Sequence, residues 1–172
     1  MIRRVLLAAL LLAVSLLGGC SDASGGNNRT GIKLDGSPRV PTDAGIATVA
    51  TAARIEIDGK RTYRVSRQLL CFSTVTLEPV PLVQREGQYV HVGVRDGTVV
   101  WVASIGAVLR AEGAPPVVYY RGTLRTLVGH TATFKDGTVL RLAPEIPKLD
   151  PDSRLLAEID PTADLVRRVT VG

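Results

Sequence analysis

The chain is poor in the residues that usually carry chemistry. Its 172 residues include two cysteines, two histidines, one methionine and one tryptophan, and aromatic side chains make up only 4%. It contains no Gly-x-Ser-x-Gly elbow, no glycine-rich loop ahead of a helix and no His-Glu-x-x-His. The usual sequence signs of a serine nucleophile, a nucleotide site and a zinc protease are therefore missing. Helical periodicity is lacking too, since no stretch of about ten residues repeats its apolar positions at three and four. No residue is assigned here as catalytic, cofactor-binding or metal-ligating.

Charge is equally uninformative about a polyanionic partner. Lysine and arginine number 21 against 16 acids. Arg54, Arg67, Arg85, Arg110, Arg141 and Arg154 are spread along the chain. A nucleic-acid site gathers its cations on one face, so no nucleic-acid partner is expected.

The amino terminus is rich where the rest is sparse. Arg3 and Arg4 precede an apolar run from Val5 to Leu17, broken only by Ser15, and Gly18 and Gly19 follow. A basic start, a short apolar segment and small residues before a cut make an export signal over residues 1–19. The run is shorter than the roughly 20 residues a spanning helix needs. Leu17-Gly18-Gly19-Cys20 resembles the bacterial lipobox, which implies diacylglycerol on the Cys20 sulfur and Cys20 as the mature amino terminus. Two acyl chains hold a protein on a bilayer where one binds only marginally. The expected location is the cell membrane, lipid-anchored and facing away from the cytoplasm.

With residues 1–19 removed, 19 basic residues stand against 16 acidic ones, a net charge of +3. Residues 20–46 read as the lipidated terminus and a flexible tether, because Gly, Ser, Asn, Asp and Pro dominate and such composition cannot bury enough surface to order itself. About 25 flexible residues reach roughly 28 Å. Cys71 would then be the remaining thiol, and between Leu70 and Phe72 it reads as a small buried hydrophobe, with pairing to another chain as the alternative.

Beyond the tether, apolar residues alternate with polar ones and Asp-Gly pairs punctuate them, so the fold is expected to be all-β with antiparallel hairpins. Val49, Thr51, Ala53, Ile55 and Ile57 alternate as one half-buried strand, and Asp58-Gly59 turns the chain back. The second hairpin runs from Gln88 through Asp96-Gly97 to Ser104. A two-residue turn there opposes Val94 to Val99, Val92 to Trp101 and Val90 to Ala103, placing Trp101 on the core face and His91 on the opposite, solvated one. A third Asp-Gly turn, Asp136-Gly137, joins strands at 131–135 and 138–142. Further strands are expected at 118–128, 154–159 and 165–171. Residues 111–116 break the pattern. The expectation is thus a β-sandwich or two small β-modules, 47–113 and 114–172, the second an OB- or SH3-like barrel, with a single domain over 47–172 as the alternative.

From Ala53 to Gly106 the chain is similar to the mycobacterial lipoprotein antigen (LpqH-like) family of small actinobacterial envelope lipoproteins. The residues in common are Ile55, the Ile57-Asp58-Gly59-Lys60 hairpin, Cys71, Asp96-Gly97, Val102, Ser104 and Gly106. The resemblance implies a surface-exposed, non-enzymatic β protein. Family members pair the first cysteine with a second near the carboxyl terminus, whereas this chain ends Arg168-Val169-Thr170-Val171-Gly172.

Several residues are candidate sites. His130, after Gly129, suits a turn. Asp150, Asp152, Glu158, Asp160 and Asp164 cluster but lack the spacing of a calcium loop. Tyr119-Tyr120 with Arg121 and Arg125 could face a sugar or peptide, although such side chains also cover neighbouring apolar surface. The function expected is a membrane-anchored envelope lipoprotein with a non-catalytic β-rich domain that binds an envelope protein or glycan. A carrier of lipid or a small hydrophobic ligand is the alternative, and a hydrolase using Cys71 or His91 the remote one.

Overall fold

A computed structural model describes residues 36–172. The signal segment, Cys20 and the first part of the tether lie outside the described residues. The fold is all-β, with ten strands and one short 3-10 helix among the described residues. Among the described residues no helix is long and apolar enough to cross a membrane.

Five strands close a barrel: β1 (Asp43–Ala50), β2 (Arg54–Ile57), β3 (Arg61–Ser73), β4 (Gln88–Arg95) and β5 (Thr98–Ala107), in the order β1-β2-β3-β5-β4 with β4 returning to β1. Its pairs are antiparallel except β3 with β5, which run parallel. Parallel neighbours need a long connection, and here it runs from residue 74 to 97: a loop over 74–87, then β4, then the turn into β5. The loop carries the 3-10 helix Leu82–Arg85, whose Leu82 joins the apolar cluster of Ile55, Ile57, Cys71, Val90, Val92, Val99 and Val102.

The remaining strands, β6 (Val118–Val128), β7 (Thr131–Phe134), β8 (Val139–Arg141), β9 (Arg154–Asp160) and β10 (Leu165–Val171), form a second sheet in the order β10-β9-β6-β7-β8. This sheet rolls until its edges meet, through a bridge between Leu142 and Val166 and the Ala143 N–H donating to the Val166 carbonyl at 2.9 Å. Tyr120, Leu124, Phe134, Leu140, Leu155 and Ile159 fill it, with the Tyr120 ring edge-on to Phe134 at 4.8 Å. Tyr89 and Ile105 of the barrel belong to this same cluster. The two modules therefore share apolar contact across their junction.

The structure corrects four expectations. The fully closed barrel is the amino-terminal module, while the carboxyl-terminal one only rolls up, because the 74–87 loop carries the chain past the place of β5, so that β5 pairs with β3 and β4 with β1. Residues 43–46, expected in the tether, belong to β1, pairing with β4 from Asp43↔Val92 to Ile46↔Tyr89. The run 49–57 is not one strand. The Thr51 hydroxyl donates to the Arg54 carbonyl and accepts from the Ala53 and Arg54 N–H groups, at 3.1 to 3.3 Å, and so folds residues 51–53 into a turn.

The fourth correction concerns the second hairpin. Its turn is as expected, with φ 50° at Asp96 and 71° at Gly97 and Val94 opposite Val99. A bulge at Val100 then sets two residues against one, so Trp101 faces Gly93 and Ala103 faces His91. The valines stay inside the barrel. Trp101 is still buried, at 6% exposure, but it lies on the barrel's outer surface with Phe72 and Ala103.

Candidate functional site at the module junction

A cleft of about 290 Å3 opens where the start of β1, the β2–β3 turn and the β9–β10 loop converge. Each wall follows from local chain chemistry. Asp58 and Gly59 both take positive φ, 55° and 67°, the conformation an Asp-Gly turn tolerates. That turn brings Arg61 back beside Asp58. Gly45 lets β1 approach closely: a Cβ there would lie 2.4 Å from Asp58 Oδ2 and 2.5 Å from Ile57 Cγ2.

The charges in the cleft are already engaged with one another. The Arg61 guanidinium bridges the carboxylates of Asp43 and Asp58 and also donates to the Ala44 carbonyl at 3.1 Å. The Tyr63 hydroxyl donates to Asp43 Oδ2 at 2.7 Å. This bond, with partial burial, raises the phenol above its ordinary value. Asp58 Oδ1 accepts the Ile46 N–H at 2.8 Å.

On the opposite wall Asp164, at φ 48°, accepts a short hydrogen bond from the fully buried Tyr89 hydroxyl. Burial alone would raise the Asp164 carboxyl, but His91, Tyr89 and Arg141 outweigh it and hold the group below the usual carboxylate range. Burial and the same carboxylate push the Tyr89 phenol up. His91 is 2% exposed and stands edge-on to Tyr89, with ring centroids 5.6 Å apart. Its Nε2 is 3.7 Å from Asp164 Oδ1, outside hydrogen-bond range, so the two interact by charge and dipole alone. Among the described residues that nitrogen has no hydrogen-bond partner.

His91 thus departs from expectation. It does point away from Val90 and Val92, but that side of the hairpin is covered by the second module rather than by solvent. Cys71 is 5% exposed and faces the barrel interior. The barrel wall separates it from His91, and the two do not converge. His130 is exposed in the β6–β7 turn, as expected.

The five acids of the last segment are dispersed. Asp152 pairs with Lys135, Glu158 with Arg168 and Asp160 with Arg167, while Asp164 holds Tyr89. Burial would raise Asp160, yet its bonds from Thr162 and the Arg167 charge keep it low. Among the described residues no group of three or more His, Cys, Asp or Glu side chains is placed to hold a metal ion.

The Tyr119-Tyr120 pair splits as strand alternation requires. Tyr120 turns inward and donates to Asp136 Oδ2 at 2.7 Å, while Tyr119, Arg121 and Arg125 are exposed. Of the residues in and behind the cleft, Asp43, Tyr63 and Tyr89 were not singled out from the sequence, and Asp164 stood out only as one of five neighbouring acids. The one local signal was the Asp58 to Arg61 spacing across a turn.

No family model, curated protein or solved structure matches this chain.

Proposed function

We propose that the protein is a cell-envelope lipoprotein, held to the membrane by lipid on Cys20, whose two-module β head is a non-catalytic binding domain for an envelope protein or glycan. The observation that carries the anchor is the register of Arg3-Arg4, the apolar run and Leu17-Gly18-Gly19-Cys20. For the head, the support is the way charge is distributed. The cleft's Asp43, Asp58, Arg61 and Asp164 are tied to one another and to tyrosines, while Arg54, Arg64 and Arg95 stand exposed in one row on the barrel. Side chains committed to each other stiffen a surface; exposed ones are available to a partner.

A binding head is preferred to a lipid carrier because a ligand pocket is typically enclosed, apolar and several hundred Å3. The junction cleft is 290 Å3, open and lined by aspartates. The test is labelling with a palmitate analogue and fractionation of wild type and Cys20→Ala, followed by crosslinking capture from native membranes. Label on wild type, none on the variant, and a reproducible envelope partner are expected. A variant that is cleaved normally and stays membrane-bound would refute the anchor. Capture of lipid alone would refute the binding role.

A further inference from the structure

The described chain begins at Gly36, and its place on the head is well defined. Gly36 packs against the backbone of Lys135, and the Arg125 guanidinium sits 3.8 Å from where a side chain at Gly36 would start. The tether therefore leaves the head beside the β7–β8 turn, at the edge of the second sheet's outer face.

That face is basic. Cross-strand partners share a side of a sheet, so its rows are Tyr119, Glu158 and Arg168, then Arg121, Leu156 and Thr170, then Thr123 and Arg154. Glu158 is matched by Arg168, and at the margin Asp152 is matched by Lys135. Arg121, Arg125 and Arg154 are exposed and have no ion pair among the described residues. Tyr119, at 45% exposure, and the half-buried Leu156 add apolar surface between the cations. Tyrosine among arginines is a composition suited to a lipid headgroup layer.

We propose that this face of β10, β9 and β6 lies on the anionic phospholipid surface that holds the protein's own lipid, so the head is docked rather than free at the end of its tether. The inference rests on the anchored reading above and adds an orientation to it. A few unmatched arginines suffice, because the tether keeps the head within reach of the bilayer throughout and the contact is intramolecular in effect.

The barrel provides an internal control. Arg54 and Arg64 pair directly across strands, and Arg64, Thr98 and Arg95 continue the row, forming a second basic surface on the barrel, whereas Gly36 lies against the other module. Unspecific attraction would bring either surface to the membrane. Docking directed by the tether brings only the first.

The test uses the lipidated chain in vesicles of phosphatidylcholine alone or of equal parts phosphatidylcholine and phosphatidylglycerol. A dye is placed at Thr170→Cys on the docking face or at Thr62→Cys on the barrel, both exposed positions, and quenched from labelled headgroups. The buried Cys71 is shielded from the dye. Strong quenching at position 170 and weak quenching at 62, only with phosphatidylglycerol present and lost in high salt, is expected. Neutralising Arg121→Gln, Arg125→Gln and Arg154→Gln should lower the docked-to-free ratio by about fivefold for each residue. Equal quenching at both positions, or none that depends on lipid charge, in protein that floats with the vesicles would overturn docking and leave the anchor intact. Protein that fails to float would overturn both. Protection of these arginines by a soluble acidic polysaccharide, without quenching by vesicles, would assign the face to a glycan instead.

Discussion

Replacing Gly93 by alanine is the sharpest test of how the barrel wall is built. Trp101 lies flat against this glycine, and an added Cβ would sit 1.8 Å from Nε1, 2.3 Å from Cε2 and 2.4 Å from Cδ1. No adjustment of a few tenths of an ångström clears three ring atoms, so the indole must leave its place over the strand. A buried tryptophan removes about 200 Å2 from water, and about 25 cal/mol per Å2 makes that about 5 kcal/mol. Compactness of the unfolded chain trims this to about 3–4 kcal/mol. The chain has a single tryptophan, so its fluorescence reports this position alone. We expect a red-shifted emission in the folded variant and a loss of stability of that order in urea titration. The deciding control is Trp101→Val, followed in that background by Gly93→Ala and read by circular dichroism. If the glycine substitution costs as much without the indole as with it, the steric reasoning is wrong.

Three more expectations concern the junction. Tyr89→Phe removes a buried hydroxyl that donates to a carboxylate, and should lower the unfolding free energy by about 1.5–3 kcal/mol, visible as a shift of the urea midpoint at unchanged slope. Asp164 has a folded-state carboxyl below its unfolded value, so its contribution is complete above about pH 4 and fades as pH falls through the folded value. Urea midpoints measured against pH should decline less steeply in Asp164→Asn than in wild type under acid conditions, and parallel curves would refute the linkage. Arg39→Ala removes a guanidinium 4.6 Å from the Phe72 ring centroid that also donates to the Asp136 carbonyl. It should cost at least about 1 kcal/mol and open residues 36–42 to limited proteolysis, and unchanged cleavage would count against their role at the seam.

Where neighbouring residues decide a structure, the sequence was readable. Strands 118–128 and 165–171 are β-rich runs set off by turn residues, and both appear with those limits, although each carries an irregularity that breaks its alternation. Asp96-Gly97 forms the expected tight turn because two residues with positive φ need no help from elsewhere. Asp136-Gly137 has the same letters but only Gly137 is at positive φ. There the Gly137 N–H donates to the Phe134 carbonyl and Asp136 caps the Thr138 N–H, giving a longer turn with a glycine bulge.

What escaped were decisions made at a distance. Nothing local marks Val100 as a bulge, yet that one residue moves Trp101 to the other side of the sheet. His91 and Tyr89 alternate as exposed strand residues would, and only the second module makes their side an interior. Asp43 looked like part of a polar tether because its strand partner, Val92, lies far along the chain. The cleft was hidden for the same reason, since Asp43, Arg61 and Asp164 meet only after both modules have formed.

The segment just before β1 has a mechanical consequence. Arg39 donates its N–H to the Gly137 carbonyl at 2.9 Å, forms a parallel bridge with Thr138, and lays its guanidinium on Phe72 of the barrel. A pull on the chain ahead of Gly36 is therefore delivered to the seam between the modules and not to one of them. Tension would first work against this short strap, and both modules would share the load until it tore free. With the strap released, the same pull would act on β1 alone and peel it from β4, one hydrogen-bonded pair at a time. The head resists force as a unit only while those few residues hold.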